Sequence, residues 1–181
     1  KKPHAPRSKR IFRCNCERTV FFLNSQCLGC GAPLGYEPML GELRTLQPGE
    51  KPETWRLTGD STTHCDYRRC SNFDSPAGCN WLVGTESPDT LCLACRLNRT
   101  IPDLEDADNR RYWRAIEGAK RRLVSQLLAL ELPVVSKEDN PEGGLAFDLL
   151  RSLSKLDRET DWFSMEPRTP FQAYPKKPER F

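Results

Sequence analysis

The chain has 181 residues, with 28 basic and 25 acidic side chains, a formal net charge of +3 and 37% apolar residues. That near balance creates no global field that would force a nucleic-acid partner, and no apolar run approaches the roughly 20 residues of a membrane helix. Two histidines, His4 and His64, exclude most imidazole-based catalysis, and the unusual counts are nine cysteines and fifteen prolines.

Residues 1–10 are basic, lack periodicity and read as a flexible arm. Ile11-Phe12 is interrupted at once by Arg13, so no secretion signal follows, and the chain is expected to be cytoplasmic. Residues 11–36 read as a first zinc ribbon. Arg18 to Leu23 is β-branched and aromatic, as strands prefer, and Asn24-Ser25 can turn the chain. Cys14-Asn15-Cys16 precedes this strand, and Cys27-Leu28-Gly29-Cys30-Gly31 follows it. A Cys-x-x-Cys turn lets two thiolates converge on one ion at about 2.3 Å. The glycines permit the positive φ that such a knuckle requires.

Residues 37–63 contain Pro38, Pro48, Pro52, Gly41, Gly49 and Gly59 and read as an irregular connector, with a short strand near Trp55-Arg56-Leu57. Residues 64–104 read as a second zinc module. It holds Cys70, Cys79 and Cys92-Leu93-Ala94-Cys95, with Trp81-Leu82-Val83 as a strand beside the metal. Eight cysteines thus fall into two sets of four: Cys14, Cys16, Cys27 and Cys30, then Cys70, Cys79, Cys92 and Cys95. All-thiolate sites are closed and structural, so two zinc ions are the expected cofactors. Cross-braced pairing also fits the spacing, but sequential pairing closes a shorter loop at lower entropy cost. Cys65 is left over; it could replace Cys70 as a ligand or be a buried small hydrophobe. A disulfide framework fits poorly, because the cysteine count is odd and no secretion pattern is present.

Residues 105–156 read as helical. Asp103, Glu105, Asp106 and Asp108 suit a helix start, where acids cap free N–H groups and favour the positive end of the dipole. The helix is predicted over 108–130, stopped by Pro133. Its apolar stripe is Tyr112, Trp113, Ile116, Ala119, Leu123, Val124, Leu127 and Leu130, at three- and four-residue steps. Arg111, Arg114, Arg121 and Arg122 fall on the opposite face, and Lys120 is expected to lift its ammonium out of the stripe. A second short helix is predicted over 145–156, and residues 157–181 read as an extended tail with scattered aromatics.

The cysteine-rich half has few large aliphatic residues. Apolar burial at about 25 cal/mol per Å² would barely offset its chain entropy, whereas a structural zinc contributes an apparent 10–16 kcal/mol or so in small peptides. The predicted fold class is therefore α+β, small and zinc-stabilised: two four-cysteine modules, a long amphipathic helix whose apolar face supports them, a short helix and an extended tail.

Several segments resemble a known family. Val20-Phe21-Phe22, Asn24-Ser25, Cys27-Leu28, Cys30-Gly31 and Leu34-Gly35-Tyr36 open the match. It continues through Cys70, Asn72 and Cys79-Asn80-Trp81. It is strongest at Leu91-Cys92, Cys95-Arg96-Leu97-Asn98-Arg99-Thr100-Ile101-Pro102-Asp103-Leu104. It runs on through Asn109, Trp113, Glu117, Ala119-Lys120-Arg121-Arg122-Leu123 and Leu127-Leu128 to Phe147-Asp148. Over about residues 11–150 these resemble the zinc-ribbon domain of the bacterial "putative zinc-binding metallopeptidase" family. The resemblance implies that the ribbon cysteines ligate zinc. It also implies a catalytic region with His-Glu-x-x-His, two imidazoles one helical turn apart, and no such motif occurs in these 181 residues.

The expected function is thus a non-catalytic structural-zinc scaffold that docks on protein. Two alternatives are a nucleic-acid-binding ribbon and the accessory part of a longer zinc peptidase. Nucleic-acid contacts would come from Lys9, Arg10, Arg13, Arg111, Arg114, Arg121 and Arg122. No membrane and no small-molecule substrate are expected.

Overall fold

The computed structural model describes residues 11–59 and 65–150. The basic arm, His4 and His64, the tail 157–181 and the last part of the predicted second helix, 151–156, lie outside the described residues. The first element is an antiparallel ribbon of β1 (Ile11–Arg13) and β2 (Thr19–Phe21), in register Phe12 opposite Val20. Strand alternation sends Phe12 and Val20 inward and leaves Ile11 and Phe21 outside. The turn between them carries Cys14 and Cys16 and closes through Cys14 N–H to Arg18 O at 2.9 Å.

The next five strands form one antiparallel sheet in sequence order: β3 (Leu34–Glu37), β4 (Glu42–Pro48), β5 (Trp55–Leu57), β6 (Tyr67–Arg69) and β7 (Leu82–Gly84). The segment read as an irregular connector therefore carries β4 as well as β5, the short strand read near Trp55-Arg56-Leu57. Its prolines and glycines sit mostly where strands end, and the interior Leu43 and Leu46 of β4 are buried. The sheet curls until its edges meet. Tyr36 bridges Trp81 in parallel, and Tyr36 N–H donates to Asn80 O at 2.9 Å. The curl is tight enough to need a glycine at position 35: a Cβ there would stand 2.7 Å from Leu82 Cδ2.

Aromatic rings join ribbon and sheet. Phe22 meets Tyr36 edge-on at 4.7 Å, Tyr36 lies 5.0 Å from Trp81, and Phe12 meets Tyr36 edge-on at 6.3 Å between ring centres. Cysteines from both predicted modules belong to this same buried cluster, so the two modules share one core. Asn80 locks the junction, donating through Nδ2 to Phe22 O at 2.7 Å and to Asn24 O at 2.9 Å.

After a 3-10 turn (Cys95–Leu97) and β8 (Asn98–Thr100) comes α1 (Ala107–Ala129). Asp106 caps it, accepting from Asp108 N at 2.8 Å and Asn109 N at 3.2 Å. It ends where Glu131 takes a φ of 57°, ahead of Pro133. Residues Phe147–Asp148 form β9, parallel to β8, in place of the start of the predicted second helix. Asp148 decides this. Its carboxylate is buried, pairs with the Arg99 guanidinium and accepts from Thr100 Oγ1 at 2.7 Å. Those partners, distant in sequence, outweigh a weak local helical pattern.

The buried face of α1 also differs from the predicted one. Asn109, Trp113, Glu117, Gly118, Lys120, Arg121, Val124 and Ser125 face the body of the protein. Leu123 and Leu130 of the predicted stripe are exposed. Arg121, expected in solvent, is buried, and Lys120 is buried rather than lifted out. The reason is the partner surface, which offers backbone carbonyls, Asn98 and the second cysteine cluster rather than a purely apolar bed.

Replacing Asn80 by Ala would strand two buried carbonyls at the ribbon–sheet junction. The zinc-loaded chain is expected to lose about 2–4 kcal/mol of unfolding free energy, read from its urea midpoint. An unchanged midpoint would mean that Asn80 does not hold the two halves together.

Candidate metal centres

The structure gathers the cysteines into two quartets, Cys14, Cys16, Cys27 and Cys30, and Cys70, Cys79, Cys92 and Cys95, with the four sulfurs of each within 4.8 Å of one another. Pairing is therefore sequential and not cross-braced. Cys65 is exposed and lies outside both quartets.

Local turns aim the sulfurs. In the first quartet, Gly31 N–H donates to Cys27 O at 2.8 Å and Gly31 takes a φ of 74°, closing the knuckle. Opposite it, Glu17 N–H donates to Cys14 O at 2.9 Å. The second quartet uses the same device at wider spacing. Phe73 N–H donates to Cys70 O at 2.8 Å and Arg96 N–H to Cys92 O at 3.0 Å, while Cys92 N–H reaches Cys70 Sγ at 3.3 Å.

The separations identify what the quartets can hold. Cys14 and Cys30 sulfurs are 3.6 Å apart, Cys16 and Cys27 3.7 Å, and Cys79 and Cys92 3.6 Å. A disulfide needs about 2.05 Å. Four thiolates at about 2.3 Å from a tetrahedral zinc stand about 3.8 Å apart along each edge. The observed edges match the second case.

Proton chemistry agrees. N–H groups of Cys30 and Gly29 bring the Cys27 thiol down to about 6. Burial, followed by its three neighbouring sulfurs, pushes Cys92 well up. Four thiols this close do not all ionise unaided, and a dication among them supplies the missing charge. The residues therefore fit two structural zinc ions. With four protein thiolates each, neither site keeps a position for water or substrate.

The surroundings of the two quartets differ. Cys16 and Cys30 are exposed, whereas all four cysteines of the second quartet are buried. Helix α1 covers the second. Glu117 Oε2 lies 3.9 Å from Cys95 Sγ, and its Oε1 accepts from Lys120 Nζ at 2.6 Å. Lys120 also donates to Asn98 Oδ1 and lies 5.8 Å from the Trp113 ring centre and 5.6 Å from that of Phe147. Burial raises the Glu117 carboxyl pKa, against the pull of Lys120. Arg121 donates to Ala77 O at 3.2 Å, in the loop leading to Cys79, while its Nε and Nη1 have no partner. Lys120 and Arg121 are thus two buried cations on the helix whose Glu117 meets Cys95.

This polar cluster was missed from sequence. Its only signal is a mixed stripe, Asn109, Trp113, Glu117, Lys120, Arg121 and Val124, that hydrophobic periodicity does not register. Of the residues predicted to meet nucleic acid, Lys9 and Arg10 lie outside the described residues. Arg13 pairs with Glu17 at 3.9 Å, Arg111 lies 3.6 Å from Asp108, and Arg114 and Arg122 are exposed. Arg121 points inward, so the five arginines do not form one surface. No helix among the described residues is long and apolar enough to cross a membrane.

Two zinc per chain are expected by elemental mass spectrometry. Cys95→Ser should retain one, and exhaustive chelation should abolish the near-ultraviolet signal of the Phe22, Tyr36 and Trp81 cluster. Native spectra after complete metal removal would overturn the assignment.

Comparison with known proteins agrees with this geometry. Residues 11–106 match a zinc-ribbon domain family, and residues 109–161 match the family described as "Putative zinc-binding metallo-peptidase". Uncharacterized proteins of Mycobacterium tuberculosis and Mycobacterium bovis are 39% identical over 145 residues, which is 79% of this chain and 38% of theirs. The chain thus spans about two-fifths of the length of these relatives. No solved structure gives a significant match. The chain belongs to this zinc-ribbon domain family.

Proposed function

We propose that this chain is a non-catalytic, zinc-held docking module that presents α1 to a protein surface. We further propose that this surface lies in the remainder of the longer relatives, of which this chain matches 38%. The observation that carries the reading is the orientation of α1. The helix turns its polar face onto the second quartet and leaves an apolar flank outside. Leu123 is 44% exposed and Leu130 61%, and the flank continues past the helix end into Leu132 at 47% and Val135 at 38%. Aliphatic side chains in a run like this suit a protein interface. The match to the peptidase family begins at residue 109, in the first turn of this helix. That places α1 where ribbon and peptidase-type sequence join.

Peptidase activity forms no part of the proposal for this chain. Both quartets are closed by four thiolates, and the 181 residues contain no His-Glu-x-x-His. A nucleic-acid role has less support, because Arg121 is withdrawn into the interior and Arg111 has an acidic neighbour.

The test uses the zinc-loaded chain and the separately expressed remainder of the mycobacterial relative, titrated by calorimetry. Binding is expected, with little change between low and physiological salt. The Leu123→Glu, Leu130→Glu double variant should keep both zinc ions and bind at least tenfold more weakly. A variant that binds as well as the parent would refute the docking surface. A steep loss of affinity with salt would favour a charge-driven contact instead. Self-association through the same flank would make a second copy the occupant.

A further inference from the structure

We propose that the first quartet is a peroxide-reactive thiol site, with Cys16 and Cys30 as the attacked residues and Cys27 and Cys14 as their resolving partners. The second quartet is the permanent structural site. This inference does not depend on the docking reading.

Two features of the first quartet carry it. Each exposed cysteine has a buried partner next to it: Cys30 is 3.6 Å from Cys14, and Cys16 is 3.7 Å from Cys27. An accessible thiolate beside a resolving thiol is the arrangement that oxidation chemistry uses. The apolar residue of the knuckle gives no cover either: Leu28, between the two knuckle cysteines, is 94% exposed and shields neither.

The second quartet has the opposite setting. All four sulfurs are buried, and Glu117 on the covering helix comes within 3.9 Å of Cys95. A peroxide would have to displace α1 to reach them.

The chemistry balances with peroxide as the oxidant. The Cys30 thiolate attacks one peroxide oxygen, the O–O bond breaks, and hydroxide leaves with a sulfenic acid on Cys30. The Cys14 thiolate attacks that sulfur, an S–S bond forms and a second hydroxide leaves. Two electrons pass from the two sulfurs to the peroxide. Closure requires the sulfurs to move from 3.6 Å to about 2.05 Å. A site left with two thiolates loses its hold on zinc. The Cys16–Cys27 pair offers the same sequence of steps.

The experiment treats the zinc-loaded Cys65→Ser chain with a small excess of hydrogen peroxide, so that the exposed spare thiol plays no part. Released zinc is followed with a metallochromic dye, and cysteines are mapped by alkylation and mass spectrometry. One zinc per chain should leave at least tenfold faster than the other. The new disulfide should link Cys14 to Cys30 or Cys16 to Cys27, with Cys70, Cys79, Cys92 and Cys95 still reduced. Release of both zinc ions at one rate, earlier oxidation of the second quartet, or no release at all would overturn the proposal.

Discussion

Sulfur–metal bonding is the constraint on which this fold depends. The strands are short, mostly three or four residues, and β4 with seven is the longest of those described. Strands of that length bury little surface alone, and a free two-stranded ribbon is marginal in water. Each quartet ties together two turns that the strands cannot hold by themselves. The first ties the β1–β2 turn to the knuckle that follows β2, and the second gathers loops that flank β7. Once those turns are fixed, Phe12, Phe22, Tyr36 and Trp81 can pack between them as a single core. Metal thus supplies the order that lets a small set of aromatic contacts become cooperative.

The two centres divide the work. The first lies at the rim, half exposed, on a ribbon whose outer face shows Ile11 and Phe21 to solvent. The second lies inside, where a formally doubly negative metal–thiolate group needs compensation in low dielectric. Helix α1 buries Lys120 and Arg121 on the side where its Glu117 meets Cys95, and Glu117 and Asn98 hold the lysine in place. A buried charge of this kind positions more than it stabilises: it permits one orientation of the helix and penalises the rest. The apolar flank of α1 is outside for this reason.

Short-range patterns in the chain were legible because they rest on local physics. Cysteine spacing, the glycines of the knuckles, the β-branched run before Asn24 and the acids ahead of α1 each act within a few residues. They gave both cysteine sets, a preference for sequential pairing, the ribbon and a helix within one residue of its observed ends. Less legible was anything decided by a distant partner. The β4 strand sits among prolines and glycines, and it became a strand by pairing with its neighbours. Residues 147–148 became extended because Asp148 meets Arg99 and Thr100, almost fifty positions earlier.

The helix marks the boundary between the two kinds of knowledge. Its length and start follow from capping and periodicity, which are properties of the segment itself. Which side faces inward does not, because an apolar stripe predicts burial only when the opposing surface is apolar too. Here that surface is a metal–thiolate cluster with open carbonyls, and Glu117, Lys120 and Arg121 match it better than leucines would. The amino-acid order by itself determined the metal centres and the local turns that build them. Tertiary structure alone decided that the two centres share a core and which face of α1 is left outside, because the first depends on aromatic packing and the second on polar partners that meet only in the folded chain.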